Sequence, residues 1–249
     1  MAKILLMLLA LVALPNVALG QSHPNAALDV ALKRIELAKR KFGHEQLNAF
    51  AEALAALDDV VARFPSARSV KSRALLEKGR LMRKLGDHSG AEAAWQSAAE
   101  IVTEARGATD ALLELASMHR RNRKVLEAQN ALETIIGKFA SESRNHAEAL
   151  LRLASLHRSE KRPDACEATL MKCLAEHLDL RTVALDALDR LVALKLDQGQ
   201  GVEAANVFRR IAEELKLRFR EGRDASRVAL QLDLIRVRLK SLAPSEGRL

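Results

Sequence analysis

Ala74–Ile101, ALLEKGRLMRKLGDHSGAEAAWQSAAEI, is the stretch whose reading decides the fold. Two amphipathic helical patterns flank Leu85-Gly86-Asp87, a turn in which glycine tolerates positive φ and aspartate caps the helix that follows. Gly79 is followed at +12 by Ala91, at +16 by Trp95 and at +19 by Ala98. Small residues at 79 and 91 let two antiparallel helices approach closely. Trp95 fills the space beside that contact.

The plan recurs outward from this stretch. Ala116 leads to Ala128, Leu132 and Ile135; Ala154 to Cys166, Leu170 and Cys173; Val192 to Ala204, Phe208 and Ile211, all at the same +12, +16 and +19 offsets. An earlier unit carries Ala53, Leu57 and Val60 in its second helix. Its first helix is read as Ala26 to Phe42, and Ala38 precedes Ala53 by 15, which implies a longer turn. The small second-helix positions 53, 91, 128, 166 and 204 step by 38, 37, 38 and 38 residues. Five concordant units predict an all-α chain.

This pattern resembles the tetratricopeptide repeat, a helix–turn–helix unit of about 34 residues that stacks into solenoids. The resemblance implies a right-handed α-solenoid that binds other proteins and does no chemistry. Units here are about four residues longer than that repeat, and the aromatic residue usual late in the first helix is replaced by Met82, His119, His157 and Lys195. Phe64-Pro65-Ser66 and Phe139-Ala140-Ser141 are similar to links in exported bacterial envelope proteins of this type.

The expected organisation is a leader at 1–20 and five repeats within 21–222, at about 26–65, 71–106, 108–140, 145–178 and 182–219. A capping helix at 223–243 and a tail at 244–249 follow. The cap carries Val228, Leu232, Ile235, Leu239 and Leu242 as one stripe, with Arg227, Arg236, Arg238 and Lys240 outside it. A solenoid needs such an end piece, since its last repeat would otherwise expose a stacking face.

The leader, MAKILLMLLALVALPNVALG, has a positive start at Lys3, an apolar run from Ile4 to Leu14 and small residues before Gln21. That is the grammar of a secretory signal peptide. Cleavage before Gln21 is expected, with retention as an anchor as the alternative. Gln21 stands where a lipoprotein would need cysteine, so no lipid is expected. The periplasm is the expected location, with no membrane span once the leader is gone. The formal charge of +8 becomes +7 without Lys3 and favours acidic partners. Export, together with 3% aromatic content, argues against nucleic acid, because single-strand binders stack bases on aromatic rings.

No catalytic motif is present. The chain lacks G-x-S-x-G, the phosphate-binding G-x-x-x-x-G-K and H-E-x-x-H, and Gly199-Gln200-Gly201 lies between helices rather than after a strand. No cofactor, no metal and no enzymatic activity are expected. Cys166 and Cys173, seven apart on one helix, are too distant for a mutual disulfide and read as core fillers. His119 and His157 occupy equivalent places and read as substitutes for the usual aromatic, with a shared metal as the alternative.

Arg83, Arg120 and Arg158 each sit four residues beyond the small first-helix position. First helices line the groove in the repeats this chain resembles, so these arginines are candidate ligand contacts, with Arg80, Lys84 and Arg121 thickening the patch. The bland alternative is arginine complementing a helix C-terminus in solvent. Leu113 and Leu151, with Leu76, would form an apolar floor, and Ser117 and Ser155 are further candidate groove residues. The reading is a binding scaffold for a protein or peptide segment, acidic in character. Self-assembly, or service as an accessory subunit that positions an enzyme, are the alternatives.

Overall fold

The computed structural model describes residues 23–242, so the leader and the tail lie outside it. Among the described residues there are eleven α-helices and no strand. They are α1 Pro24–Lys39, α2 Gly43–Arg63, α3 Arg68–Lys84, α4 His88–Ala99, α5 Ala105–Arg121, α6 Val125–Lys138, α7 Ser143–Ser159, α8 Pro163–His177, α9 Arg181–Asp197, α10 Gly201–Arg218 and α11 Gly222–Leu242. None of them is long and apolar enough to cross a membrane. The chain divides into two compact units after Ala74, inside α3.

In the first unit α1 and α2 pack together. Ala27, Leu28, Ala31, Ile35 and Ala38 form the buried stripe of α1, and Ala49, Phe50, Ala53, Leu57 and Val60 that of α2. The longer turn expected between them is not there. α1 stops at Lys39, three residues connect it to α2, and the extra length goes into α2, which runs for 21 residues. Gln46 closes this corner by donating from Nε2 to the Lys41 carbonyl at 2.6 Å.

In the second unit each helix from α4 onward packs on the next, and α5 touches α7, α7 touches α9 and α9 touches α11. First helices therefore neighbour first helices, with α11 taking that place at the end. This is the all-α repeat architecture with a terminal helix. Its register is the one the offsets imply. Ala91, Trp95 and Ala98, and every residue at the same three positions of the later pairs, are buried. One continuous core runs from Leu150 to Leu239 through α7 to α11, and Cys166 and Cys173 lie inside it as free thiols. Burial pushes the Cys173 thiol up to about 12, with Asp186 and Glu176 adding to the effect, so it is not a nucleophile at neutral pH.

The turns inside the helix pairs are built alike. Asp87, Lys124, Arg162 and Gln200 each donate a backbone N–H to the carbonyl five residues earlier, all at 2.9 Å. Such a closure requires a left-handed residue just before the donor. Gly86 (φ 84°) and Gly199 (φ 73°) supply it at no steric cost, but Arg123 (φ 60°) and Lys161 (φ 54°) occupy the equivalent positions with a Cβ. An L-residue costs about 1–2 kcal/mol there, and glycine returns about half of that as chain entropy. Arg123→Gly should therefore raise the unfolding free energy by about 0.5–1 kcal/mol in urea titration. Arg120→Gly, three residues earlier in α5, should lower it by about 1 kcal/mol. Equal losses from both would contradict the turn geometry.

Of the positions that lost the usual aromatic, His119, His157 and Lys195 are buried and Met82 is half-buried, and His119 and Lys195 reach a carboxylate of the preceding pair. His119 Nε2 lies 3.9 Å from Glu92, and Lys195 Nζ donates to Glu167 at 2.6 Å. His157 is buried too, and its Nδ1 finds no hydrogen-bond partner among the described residues. Burial, and then the charge of Arg162, hold the His157 pKa below its usual value, against the pull of Glu133. Its contribution to stability is therefore complete above the unfolded pKa of about 6.5 and is lost as pH falls through the lower folded value. The urea midpoint should decline between pH 7 and pH 5, and His157→Phe should make that decline shallower. An identical pH profile for the variant would contradict this role.

Candidate functional site

The sequence-derived residues lie on the first-helix side of the second unit, and the structure separates them into distinct roles. Three compartments recur there, each between the first and second helix of a pair and the first helix of the next.

In the first compartment Trp95 fills the space. It is fully buried, and its Nε1 donates to the Leu76 carbonyl at 3.2 Å. A Cβ built on Gly79 would stand 2.4 Å from that nitrogen, so position 79 must be glycine while position 95 is tryptophan. Arg83 lies over the indole, 5.8 Å from its centroid, and 3.9 Å from a Glu114 oxygen. Arg80 is tied to Glu77 and Glu114, each at 2.8 Å. Partial burial opposes its charge, but the two carboxylates outweigh that and move its pKa up. Neither arginine is available as a loose ligand contact.

Leucine replaces tryptophan in the next two compartments, and both are open. The α5–α6 compartment holds a cavity of about 260 Å³ whose walls mix Ala116, Ala128, Leu132 and Leu151 with Ser117, Glu148, Arg152 and Arg190, and Arg120 also lines it. The α7–α8 compartment holds about 450 Å³, with Ala154, Cys166 and Leu170 in its walls and Arg158 at its edge. A smaller side chain at the +16 position is the physical reason for both.

Arg152, which lines the first of these cavities, and Arg190, which lines both, are residues the sequence reading passed over. Arg152 donates to the Leu113 carbonyl at 3.0 Å and to Ser117 Oγ, while Glu148 holds it at 2.7 Å. One repeat later Arg190 donates to the Leu151 carbonyl at 3.1 Å and to Ser155 Oγ at 2.6 Å, held by Asp186 at 2.8 Å. Ser117 and Ser155 are thus engaged as acceptors of a structural bond between neighbouring pairs. The signal was present in sequence. Arg152 and Arg190 are 38 apart, each has an acid four residues before it, and each has a serine 35 residues before it.

The three aligned arginines are not equivalent. Arg83 is half-buried on Trp95, and Arg158 is exposed but pairs with Asp197. Arg120 is exposed, and among the described residues nothing pairs with it. Arg121 and Lys84 are exposed at the ends of their helices. Leu113 and Leu151 are buried, and of the two only Leu151 lines the smaller cavity. The site therefore narrows to Arg120 beside a recess that Leu132, Leu151 and Leu156 share with Ser117, Glu148, Arg152, Ser155 and Arg190, with Arg158 one repeat away. A carboxylate next to a small apolar side chain would meet Arg120 as a charge-assisted donor and the leucines of the recess as apolar contacts.

The fold matches solved helical-repeat structures. The MamA protein aligns with a TM-score of 0.51 at 16% identity, over 80% of this chain and 98% of that one. The nearly identical TPR-like repeats of a putative kinesin light chain from Podosopora anserina align with 0.51 at 19%, over 81% and 100%. BtubC from P. vanneervenii aligns with 0.50 at 16%, over 92% and 97%. At these identities the likeness establishes the fold, that of tetratricopeptide-repeat proteins. No protein-family model matches the sequence, and no curated protein does.

Proposed function

We propose that this chain is an exported, non-catalytic binding scaffold that holds an acidic or carboxylate-bearing segment of a protein in the bacterial cell envelope. One observation carries the binding reading. Arg120 stands exposed and unpaired among the described residues, at a cavity of mixed polar and apolar lining whose counterpart in the preceding pair is filled by Trp95. Export is supported by the Lys3, apolar-run and Ala18-Leu19-Gly20 pattern. The +8 formal charge supports an acidic partner.

A fluorescein-labelled peptide alternating glutamate with leucine, set against its lysine–leucine counterpart, tests the reading by anisotropy. The acidic peptide should bind at least tenfold more tightly, and less tightly as salt rises, because exposed charge pairs are screened. Arg120→Glu should weaken it about tenfold, equivalent to about 1.4 kcal/mol. Arg210→Glu, an exposed reversal on α10, should change it less than twofold. Equal affinity for the two peptides would overturn the proposal. Intact mass of the exported protein tests the leader separately, since a retained Met1 or an added acyl chain would contradict cleavage before Gln21.

Self-association has its own observation. On α11 the outer side is not wholly wet, because Leu230, Leu234 and Val237 are exposed at i, i+4 and i+7, while Val228, Leu232, Ile235 and Leu239 are buried. Light scattering should then report a larger species that Leu234→Glu returns to monomer. A monomer at all concentrations would remove this reading.

A further inference from the structure

His146, near the start of α7, and Glu176 and His177, at the end of α8, converge on one point. Each offers a ligand atom, and the three atoms lie within 4.8 Å of one another. His146 Nδ1 is 2.7 Å from His177 Nε2 and 3.8 Å from Glu176 Oε2. The two imidazoles are 3% and 5% exposed, so the nitrogens face a site largely closed to water, while the Glu176 side chain stays 43% exposed.

A second feature orients the set. His146 Nε2 lies 3.3 Å from the Ile136 carbonyl at the end of α6, an acceptor that fixes the proton on Nε2. Its Nδ1 lone pair is then aimed at His177 and Glu176. An imidazole anchored by its far N–H on a backbone carbonyl is the usual outer-shell arrangement of a metal-ligating histidine. The other Glu176 oxygen, Oε1, is 3.9 Å from Lys172 Nζ, which leaves Oε2 to the histidines.

We propose that His146, His177 and Glu176 form a divalent transition-metal site, of the two-imidazole, one-carboxylate type that suits Zn²⁺. Two nitrogens at about 2.0–2.1 Å from a tetrahedral zinc stand about 3.3 Å apart, so the imidazoles must separate by about half an ångström from their present contact. The ion takes the place of the proton between them, which His177 then carries on Nδ1 instead of Nε2. Three protein ligands leave one position open on the exposed Glu176 side, for water or for a partner's side chain. The bound ion ties α7 to α8 and, through the Ile136 carbonyl, to the end of α6. The ligand set spans 31 residues and two helices, so no spacing within a helix announces it.

The test is isothermal titration of the metal-stripped full chain with Zn²⁺, with Mg²⁺ as the control. One site should be filled by Zn²⁺, and the thermal midpoint should rise with it, because a ligand that binds only the folded state stabilises it. Glu176→Gln, at an exposed position that leaves the core alone, should weaken Zn²⁺ at least tenfold. Lys172→Met should tighten it severalfold by removing a nearby positive charge. His146→Gln with His177→Gln should abolish the site in a chain whose helical signal is checked by circular dichroism. Co²⁺ should give ligand-field bands with no sulfur charge-transfer band, since Cys166 and Cys173 are not ligands. The proposal is overturned if Zn²⁺ does not bind the wild type. It is equally overturned if Glu176→Gln and Lys172→Met leave affinity and stoichiometry unchanged, which would place the metal on other histidines.

Discussion

Trp95→Ala should lower the unfolding free energy by about 3–5 kcal/mol, the cost of emptying a fully buried indole site. The more discriminating result concerns its neighbour. With tryptophan at 95, Gly79→Ala forces a Cβ to 2.4 Å from Nε1 and 2.6 Å from Cδ1 of the indole, and overpacking of this kind costs about 1–3 kcal/mol. With Trp95→Leu already in place the clash is gone, because the pair then matches Ala116 with Leu132 and Ala154 with Leu170. There Gly79→Ala should stabilise, by about 0.5–1 kcal/mol, since alanine is the better helix former. The same substitution changes sign with its background. Equal cost in both backgrounds would show that Trp95 does not pack on Gly79.

Glu114→Arg should cost about 1–2 kcal/mol, because it removes an acceptor from Arg80 and places a second guanidinium beside it. At the next two junctions the arrangement is serine on the earlier helix and arginine on the later one, Ser117 with Arg152 and Ser155 with Arg190. Combining Glu114→Arg with Arg80→Ser converts the first junction to that serine–arginine pairing, although the Leu76 carbonyl there already accepts Trp95 Nε1 where the Leu113 and Leu151 carbonyls accept arginine. Part of the loss should be regained, through the new serine–arginine bond. Denaturant titration of the two singles and the double gives the coupling between the positions. Additive losses would contradict the view that these junctions are alternative solutions to one packing problem.

Much of this was legible before any coordinates. The offsets from Gly79 to Ala91, Trp95 and Ala98 specify a close helix pair, and their recurrence specifies stacking, because side-chain volume and helical period are properties of the sequence itself. Gly86 and Asp87 declared their turn through φ and through the cap, and Asp87 does accept the Gly90 N–H at 2.9 Å. Arg123 and Lys161 declared nothing, since a strained left-handed residue looks like any surface cation. The arginine row was visible as a pattern, but its chemistry was not. Which arginine is free depends on which acid the next helix brings: Glu114 reaches Arg80 and Arg83, Asp197 reaches Arg158, and nothing comparable reaches Arg120 among the described residues. Arg152 and Arg190 were missed because their partners are backbone carbonyls of another repeat. His146, Glu176 and His177 were missed because convergence of helix ends is a tertiary fact.

In the proposed binding mode Arg120 meets a carboxylate of the bound segment directly. That contact is tested most directly by a charge-swap cycle measured by anisotropy at fixed ionic strength. Wild type and Arg120→Glu are each titrated with the glutamate–leucine peptide and with the same peptide carrying one central lysine in place of glutamate. A direct contact predicts that Arg120→Glu recovers affinity for the lysine peptide, with a coupling of about 1.5–3 kcal/mol that Arg210→Glu does not show. If Arg120→Glu and Arg210→Glu shift all four affinities alike, overall charge attracts the peptide, and the groove beside Arg120 does not bind it.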